Sequence, residues 1–173
     1  PLQRGLVGYL GYDVIREVEN LPNTPPDPRE LPDAVMSIIG SLVAFDHWRQ
    51  RMFILESVPT VGADLNEVYD AAVARIEESI RRISLPLPYS PVEPPVAGDA
   101  LPAVESSLPN GAYQQAVEVA KEYVRSGDIF QVVLSQRFDL ELGADPYDVY
   151  RVLRQVNPSP YLYFLREPEL CIV

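Results

Sequence analysis

A proline-rich segment in the middle of the sequence constrains the fold more than any other feature. Residues 85–109 contain seven prolines together with Gly98 and several serines. Proline fixes φ and has no backbone N–H, so neither a helix nor a central strand can run through such a stretch. The sequence therefore predicts two folded parts, residues 1–84 and 110–173, joined by a linker over 85–109.

The first part is predicted to contain a strand, a hairpin and a helix. Residues 5–12 combine apolar side chains with three glycines, which predicts a strand whose backbone lies close to a neighbour. The apolar runs 34–48 and 51–58 predict an antiparallel hairpin. Asp64 followed by Glu67 is a capping-box pattern, and apolar residues recur behind it at steps of three and four. This spacing predicts a helix of about five turns.

The second part mixes helices and strands without regular alternation. Asn110 and Gly127 bracket one predicted helix, and Asp145 before a proline opens another. Between the two helices, alternating residues predict a long strand over 129–142. Two shorter runs are also strand-like, 161–165 and 170–173. This order predicts an α+β protein with largely antiparallel sheets flanked by helices. Residues 110–173 are predicted to form the beginning of the second domain.

Composition excludes several classes of function. A net charge of −11 argues against nucleic acid as a partner, because phosphate binding requires a basic face. No apolar run reaches the ~20 residues that a membrane helix needs. Cys171 is the only cysteine, which forbids an internal disulfide and favours a reducing compartment such as the cytoplasm. With His47 as the only histidine, a Cys/His metal cluster is excluded as well.

Two polar motifs allow either a structural or a functional interpretation. Gln131 lies on the alternating run, where it could face water or line a pocket; a neutral amide orients a polar substrate without taking a proton. The stretch Asn157-Pro158-Ser159-Pro160 could simply end a helix, or its rigid backbone could present main-chain groups to a small ligand. The residue pattern alone favours the structural interpretation in both cases.

Three motifs together resemble component I of anthranilate synthase, a family of chorismate-binding enzymes. They are GLVGYLGYDVIREVENLP, SGDIFQVVLSQRF and NPSPYLYFL, in this order, and the resemblance runs from Gly5 to Val173. The family converts chorismate and ammonia into anthranilate and pyruvate with Mg²⁺. It obtains the ammonia from a glutamine amidotransferase subunit, and tryptophan inhibits it.

The resemblance implies roles for a few residues. Gln131 matches the position at which isochorismate-forming relatives carry a water-activating lysine, and a glutamine there suits ammonia as the nucleophile. Pro160, Tyr161 and Leu162 match the stretch that contacts inhibitory tryptophan, where Met is more common at the third position. Asn157 belongs to the same stretch and is expected to support its shape.

The resemblance also implies that much of the catalytic machinery lies elsewhere. The family's Mg²⁺-binding glutamates, catalytic histidine and chorismate-binding basic residues follow the NPSPY motif, and one wall of the tryptophan site precedes Gly5. We therefore expect no metal ligands in this chain and no turnover by it alone. Two alternatives stay open: the aminodeoxychorismate synthase subunit of folate synthesis, and a non-catalytic module that binds an amino acid or a partner.

Overall fold

The chain divides between Ser90 and Pro91 into two compact units. A computed structural model describes residues 5–173. Each unit combines helices with two short antiparallel sheets, which confirms the predicted α+β class. The boundary between the units lies inside the proline-rich segment. The finer division into a linker over 85–109 and flanking domains stays a prediction.

The first sheet of the first unit joins two strands that are distant in sequence. Strand β1 (Leu6–Leu10) pairs with β2 (Ala34–Ile38), and a 3-10 helix (Tyr12–Glu17) and a proline-rich loop lie between them. A Cβ atom on Gly8 would lie 1.8 Å from the carbonyl oxygen of Val35. Glycine is therefore required here, as the prediction of close backbone contacts anticipated.

The second sheet of this unit is the predicted hairpin. Strand β3 (Ser41–Asp46) pairs with β4 (Arg51–Glu56) around a four-residue turn. The run 34–48 was expected to be one strand, and this is wrong. The run is interrupted at Ile39 and Gly40, so that its first half pairs with β1 and its second half with β4.

Helix α1 (Leu65–Ile83) confirms the helix that follows the capping-box pattern. The Asp64 carboxylate accepts hydrogen bonds from the backbone N–H groups of Asn66 and Glu67, at 2.9 and 3.4 Å. The helix contacts β4. Arg75 donates to Glu56 at 2.9 Å, and the Glu56 side chain is only 4% exposed, so this ion pair fastens the helix to the hairpin.

The second unit contains two well-formed helices. Helix α2 (Ala112–Ser126) ends at Gly127, whose φ of 83° is left-handed and suits glycine. Its N-cap is Gly111 rather than the predicted Asn110. Helix α3 (Pro146–Val156) begins after Asp145, whose carboxylate accepts from the N–H of Tyr147 at 2.7 Å.

The strands of the second unit are much shorter than predicted. Each has two residues: β5 (Glu105–Ser106) pairs with β6 (Phe138–Asp139), and β7 (Leu165–Arg166) pairs with β8 (Cys171–Ile172). The long strand over 129–142 is thus limited to β6, because a strand is defined by hydrogen bonds to a neighbour and only β5 offers them. Strand β5 also contradicts the expectation that the proline-rich segment holds no regular element.

Little of the chain is buried. Among the described residues, Ala72 on α1 is the one apolar residue in the buried class. The accessible surface is 14950 Å², whereas two separate folded domains of half this mass would together expose about 10,000 Å². No helix among residues 5–173 is both long and apolar enough to cross a membrane.

Candidate functional site

The segment that carries Gln131 turns back along α2 directly after the helix ends. The N–H groups of Asp128 and Ile129 both donate to the Tyr123 carbonyl, at 3.0 and 3.3 Å. The left-handed Gly127 allows this reversal, as at many helix ends. The polypeptide that follows therefore contacts the apolar face of the helix from which it emerged.

Gln131 lines an open groove of about 550 Å³ between this segment and α2. The groove is mainly apolar, with three polar or charged residues of the helix beside the amide. Those residues are Tyr113, Lys121 and Arg125. The Gln131 side chain is exposed and makes no hydrogen bond to any residue in 5–173. Its amide is free to bind a polar ligand in the groove.

The two cations of this groove are each paired with an acid on their own helix. Lys121 donates to Glu118 at 2.6 Å, and Arg125 donates to Glu122. The hydrogen bond from Lys121, followed by its positive charge, lowers the pKa of the Glu118 carboxyl below its usual value. These pairs are exposed, so each neutralises its cation without fixing it firmly.

A second groove of about 470 Å³ lies against the same helix and the same segment. Both grooves are lined by Ala120, Val132 and Leu134. The second groove is almost entirely apolar and includes Ala116 and Val119 of α2. The segment is therefore flanked by open apolar space, with the helix behind it.

The residues predicted to contact tryptophan lie after α3, in a turn. The N–H of Asn157 donates to the Leu153 carbonyl at 2.9 Å and ends the helix, which is the structural role expected of this stretch. The N–H of Tyr161 donates to the Ser159 hydroxyl at 3.3 Å, while the Tyr161 side chain is 87% exposed. Pro160 is exposed and Leu162 is half-buried.

No hydrogen bond, ion pair or ring contact joins Gln131 to residues 157–162 in the described chain. The predicted catalytic residue and the predicted tryptophan-binding residues thus do not contact one another, and their roles stay predictions. Within 5–173, no three His, Cys, Asp or Glu side chains lie close enough together to hold a metal ion. The described residues therefore do not fit a Mg²⁺ site.

Sequence reasoning missed the contribution of α2 to the Gln131 groove. Tyr113, Val117, Lys121 and Arg125 recur every fourth residue, so they share one face of the helix. This spacing was visible in the sequence. What it could not show is that the segment after Gly127 lies across the helix and brings Gln131 to that face.

Comparison with known proteins finds similarity to one family along the whole chain. Residues 1–173 match the family described as chorismate binding enzyme. Anthranilate synthase component 1 of Acetivibrio thermocellus is 39% identical over 167 residues, which cover 94% of this chain and 33% of that protein. Anthranilate synthase alpha subunit 2, chloroplastic, of Arabidopsis thaliana is 37% identical over 94% of this chain and 28% of its own length.

A solved structure supports the same relationship. The crystal structure of anthranilate synthase component I from Streptococcus pneumoniae TIGR4 superposes with a TM-score of 0.74 at 30% identity, over 95% of this chain and 36% of that one. The chain spans about a third of the length of the curated relatives it matches. The matching family, the relatives and the shared fold agree, and the chain belongs to the chorismate-binding enzyme family.

Proposed function

We propose that the chain is part of an anthranilate synthase component I, which converts chorismate and ammonia into anthranilate and pyruvate for tryptophan synthesis. The observation that carries this proposal is the identity of 36–39% to proteins named anthranilate synthase component 1 over 94% of the chain. The motif SGDIFQVVLSQRF adds support. Folate-pathway relatives more often carry Asn-Leu-Thr at the positions of Val133, Leu134 and Ser135, so the motif resembles the anthranilate synthases more closely. Lyase chemistry on chorismate is the function assigned to the complete polypeptide.

In this proposal Gln131 orients the substrate and excludes water chemistry. An amide donates and accepts hydrogen bonds but cannot accept a proton at neutral pH, so it cannot activate water as a lysine could. The exposed amide lies beside an apolar groove, where a ring could pack against Val117 and Leu134. Ammonia, already nucleophilic as the free base, needs only to be positioned.

The regulatory and cellular parts of the proposal rest on the family resemblance. Tryptophan inhibits through Pro160, Tyr161 and Leu162, with Asn157 fixing the backbone of this stretch. The exposed Tyr161 ring is available for such a contact. A glutamine amidotransferase subunit supplies ammonia, and the enzyme works in the cytoplasm, as its unpaired Cys171 favours.

The proposal includes inactivity of the chain alone. Mg²⁺ would supply charge neutralisation for the carboxylates of chorismate, and its ligands are assigned to the rest of the polypeptide. The groove beside Gln131 is open, so a small anion bound there would be exposed to water. Electrostatic stabilisation of a transition state requires a site from which water is excluded.

The decisive experiment compares this chain with a chimera in which it replaces the matched region of the Acetivibrio thermocellus relative. With chorismate, ammonia and Mg²⁺, the chimera is expected to produce fluorescent anthranilate and the chain alone none. Aminodeoxychorismate formed instead would replace the proposal with the folate-pathway alternative. Tryptophan binding by a chimera that forms neither product would favour a regulatory module. Anthranilate from the chain alone would contradict its proposed incompleteness.

A further inference from the structure

Three aromatic rings in the second unit join α3 to the segment that follows the 157–162 turn. The ring centroid of Phe164 lies 5.4 Å from that of Tyr147, in an edge-on arrangement, and 5.8 Å from that of Tyr150. The two tyrosine rings are 6.0 Å apart on the helix. All three residues are half-buried. Aromatic pairs at such distances attract one another beyond the area that they bury, so the three residues form one aromatic cluster.

Two arginines extend the aromatic cluster. The Arg166 guanidinium lies 5.3 Å from the centroid of the Phe164 ring, and it also donates to the Asp145 carboxylate at 3.2 Å, at the start of α3. The Arg154 guanidinium lies 5.7 Å from the centroid of the Tyr150 ring. A cation over an aromatic ring is attracted to the face of that ring. The polypeptide after the turn is therefore held to α3 at both Phe164 and Arg166.

The aromatic cluster closes residues 157–163 into a loop whose two ends lie on the same helix. At one end, the N–H of Asn157 donates to the Leu153 carbonyl at 2.9 Å, so the loop begins at the last turn of α3. At the other end, Phe164 contacts the two tyrosines of α3, which precede Asn157 by seven and ten residues. The two prolines within the loop each fix one φ angle. The loop is thus restrained at both ends and within its own backbone.

Restraint of this kind affects how tightly the loop can bind a ligand. When a ligand binds one conformation only, its apparent Kd is the intrinsic Kd divided by the fraction of molecules in that conformation. Fixing a loop in its binding conformation therefore raises affinity without adding a contact to the ligand. The loop carries Tyr161, whose side chain is 87% exposed and so accessible to a ligand.

We propose that the aromatic cluster positions residues 157–162 for tryptophan and thereby sets the sensitivity of the enzyme to this inhibitor. Its three members are positioning residues, since they act through the backbone of the loop and do not touch the inhibitor. The inference rests on the proposed function, from which it takes tryptophan as the ligand of this loop. It adds the residues of α3 and Phe164 to those that determine inhibition.

Tryptophan inhibition of the chimera tests the proposal. Phe164→Leu keeps an apolar side chain but removes the ring that faces both tyrosines, so the loop is released at one end. The Ki for tryptophan is expected to rise about 10-fold, which corresponds to about 1.4 kcal/mol. Without tryptophan, kcat and the KM for chorismate should change by less than about twofold, because the aromatic cluster acts on the inhibitor loop alone.

Matched variants distinguish positioning from general packing. Phe164→Tyr keeps the ring and should keep the Ki of the unaltered chimera. Phe45→Leu makes the same change as Phe164→Leu in a ring of the first unit, which stacks on His47 at 6.3 Å, and should leave the Ki unchanged. An unchanged Ki in Phe164→Leu would overturn the proposal, as would a fall in kcat as large as the rise in Ki. If Phe164→Leu does not fold, Tyr150→Leu removes a facing ring instead, with the same outcomes.

Calorimetric titration with tryptophan separates this inference from the proposed function. Tryptophan binding that Phe164→Leu weakens, in a chimera that forms no anthranilate, would support the role of the aromatic cluster and contradict the enzyme assignment. Anthranilate formation by a chimera that does not bind tryptophan would overturn the inference and leave the enzyme assignment in place.

Discussion

The two units of the chain differ in how their strands are paired. In the first unit, β1 and β2 match over five residue pairs and β3 and β4 over six. In the second unit, each of the two ladders has two residue pairs, although α2 and α3 are as regular as α1. The second unit thus has complete helices and incomplete sheets.

This difference follows from where each element finds its hydrogen-bond partners. A helix pairs its backbone within itself, so its sequence is sufficient. A strand needs a neighbour, and hairpins such as β3–β4 find one across a short turn. Residues 130–136 have no such neighbour among the described residues, and the candidate catalytic residue Gln131 lies within this stretch. The stretch that carries the candidate catalytic residue therefore has no backbone hydrogen bonds to the other described residues.

The largest expected effect is on activity and arises in the second unit. Gln131→Lys in the chimera should lower anthranilate formation from ammonia by about 100-fold, because a lysine introduces a charge and a base where a neutral amide positions the substrate. Steady-state fluorescence at saturating chorismate and ammonia measures the change. Urea unfolding should be unaltered, since the side chain makes no hydrogen bond within the described chain.

Gln131→Glu is the matched variant for this prediction. It keeps the size and shape of the side chain while making it an anion beside the carboxylates of chorismate, so KM should rise more than kcat falls. Full activity of both variants would remove Gln131 from the proposed active site.

The next effect is on stability and tests the first unit. Gly8→Ala places a Cβ 1.8 Å from the Val35 carbonyl oxygen, so the paired backbones of β1 and β2 must separate. A loss of about 3 kcal/mol in the free energy of unfolding is expected, measured by urea titration with circular dichroism. Gly40→Ala is the control, because a Cβ there meets nothing within 4 Å. Equal stability of the two variants would contradict the close pairing of β1 and β2.

The sequence predicted local features of the fold well and distant pairing poorly. The cap at Asp64, the left-handed Gly127 and the proline at the start of α3 are signals within one or two turns, and all three are confirmed. The break at Gly40 and the unpaired state of residues 130–136 depend on which segments meet in space. Alternation of side chains marks a strand without naming its partner.

The same limit applies to the candidate site. Gln131 could be selected from its motif, whereas the groove beside it requires the reversal at Gly127 and the four-residue spacing on α2. The stretch 157–162 was recognised by its prolines, and the turn that it forms is exposed except at Leu162. Residues within a motif are visible in sequence, and the opposite wall of a pocket is not.

A smaller effect tests the link between α1 and the hairpin. Glu56→Gln removes the anion that Arg75 and Ser41 hydrogen-bond, and it should cost about 2 kcal/mol in unfolding free energy. Glu78→Gln is the matched control, because Glu78 also pairs with an arginine, Arg81, but at an exposed position within one helix. Urea unfolding should show a clear loss of stability for Glu56→Gln and little loss for Glu78→Gln.

The same carboxylate predicts how stability depends on pH. The hydrogen bond from Ser41, together with Arg75, lowers the pKa of Glu56 below its usual value of 4.5. A carboxyl with a lowered pKa in the folded state stabilises the fold above its ordinary pKa, and this stabilisation is lost as pH falls through the folded pKa. Below pH ~4.5, the stability of the unaltered chain should therefore fall more steeply than that of Glu56→Gln. Parallel curves would show that Glu56 does not titrate differently on folding.

The smallest effect compares one helix from each unit. Asp64→Ala and Asp145→Ala each remove a carboxylate that accepts backbone N–H groups at a helix start, and each should cost about 1 kcal/mol. Asp145 also forms an ion pair with Arg166 at 3.2 Å, but both side chains are more than half exposed, so the pair adds little to stability. Exchange rates of amides in the first turns of α1 and α3 measure both losses. Similar losses would show that helices form locally in both units, so that the units differ only in their sheets. A cap worth much less in α3 would show that the formation of this helix depends less on its local capping residue than that of α1 does.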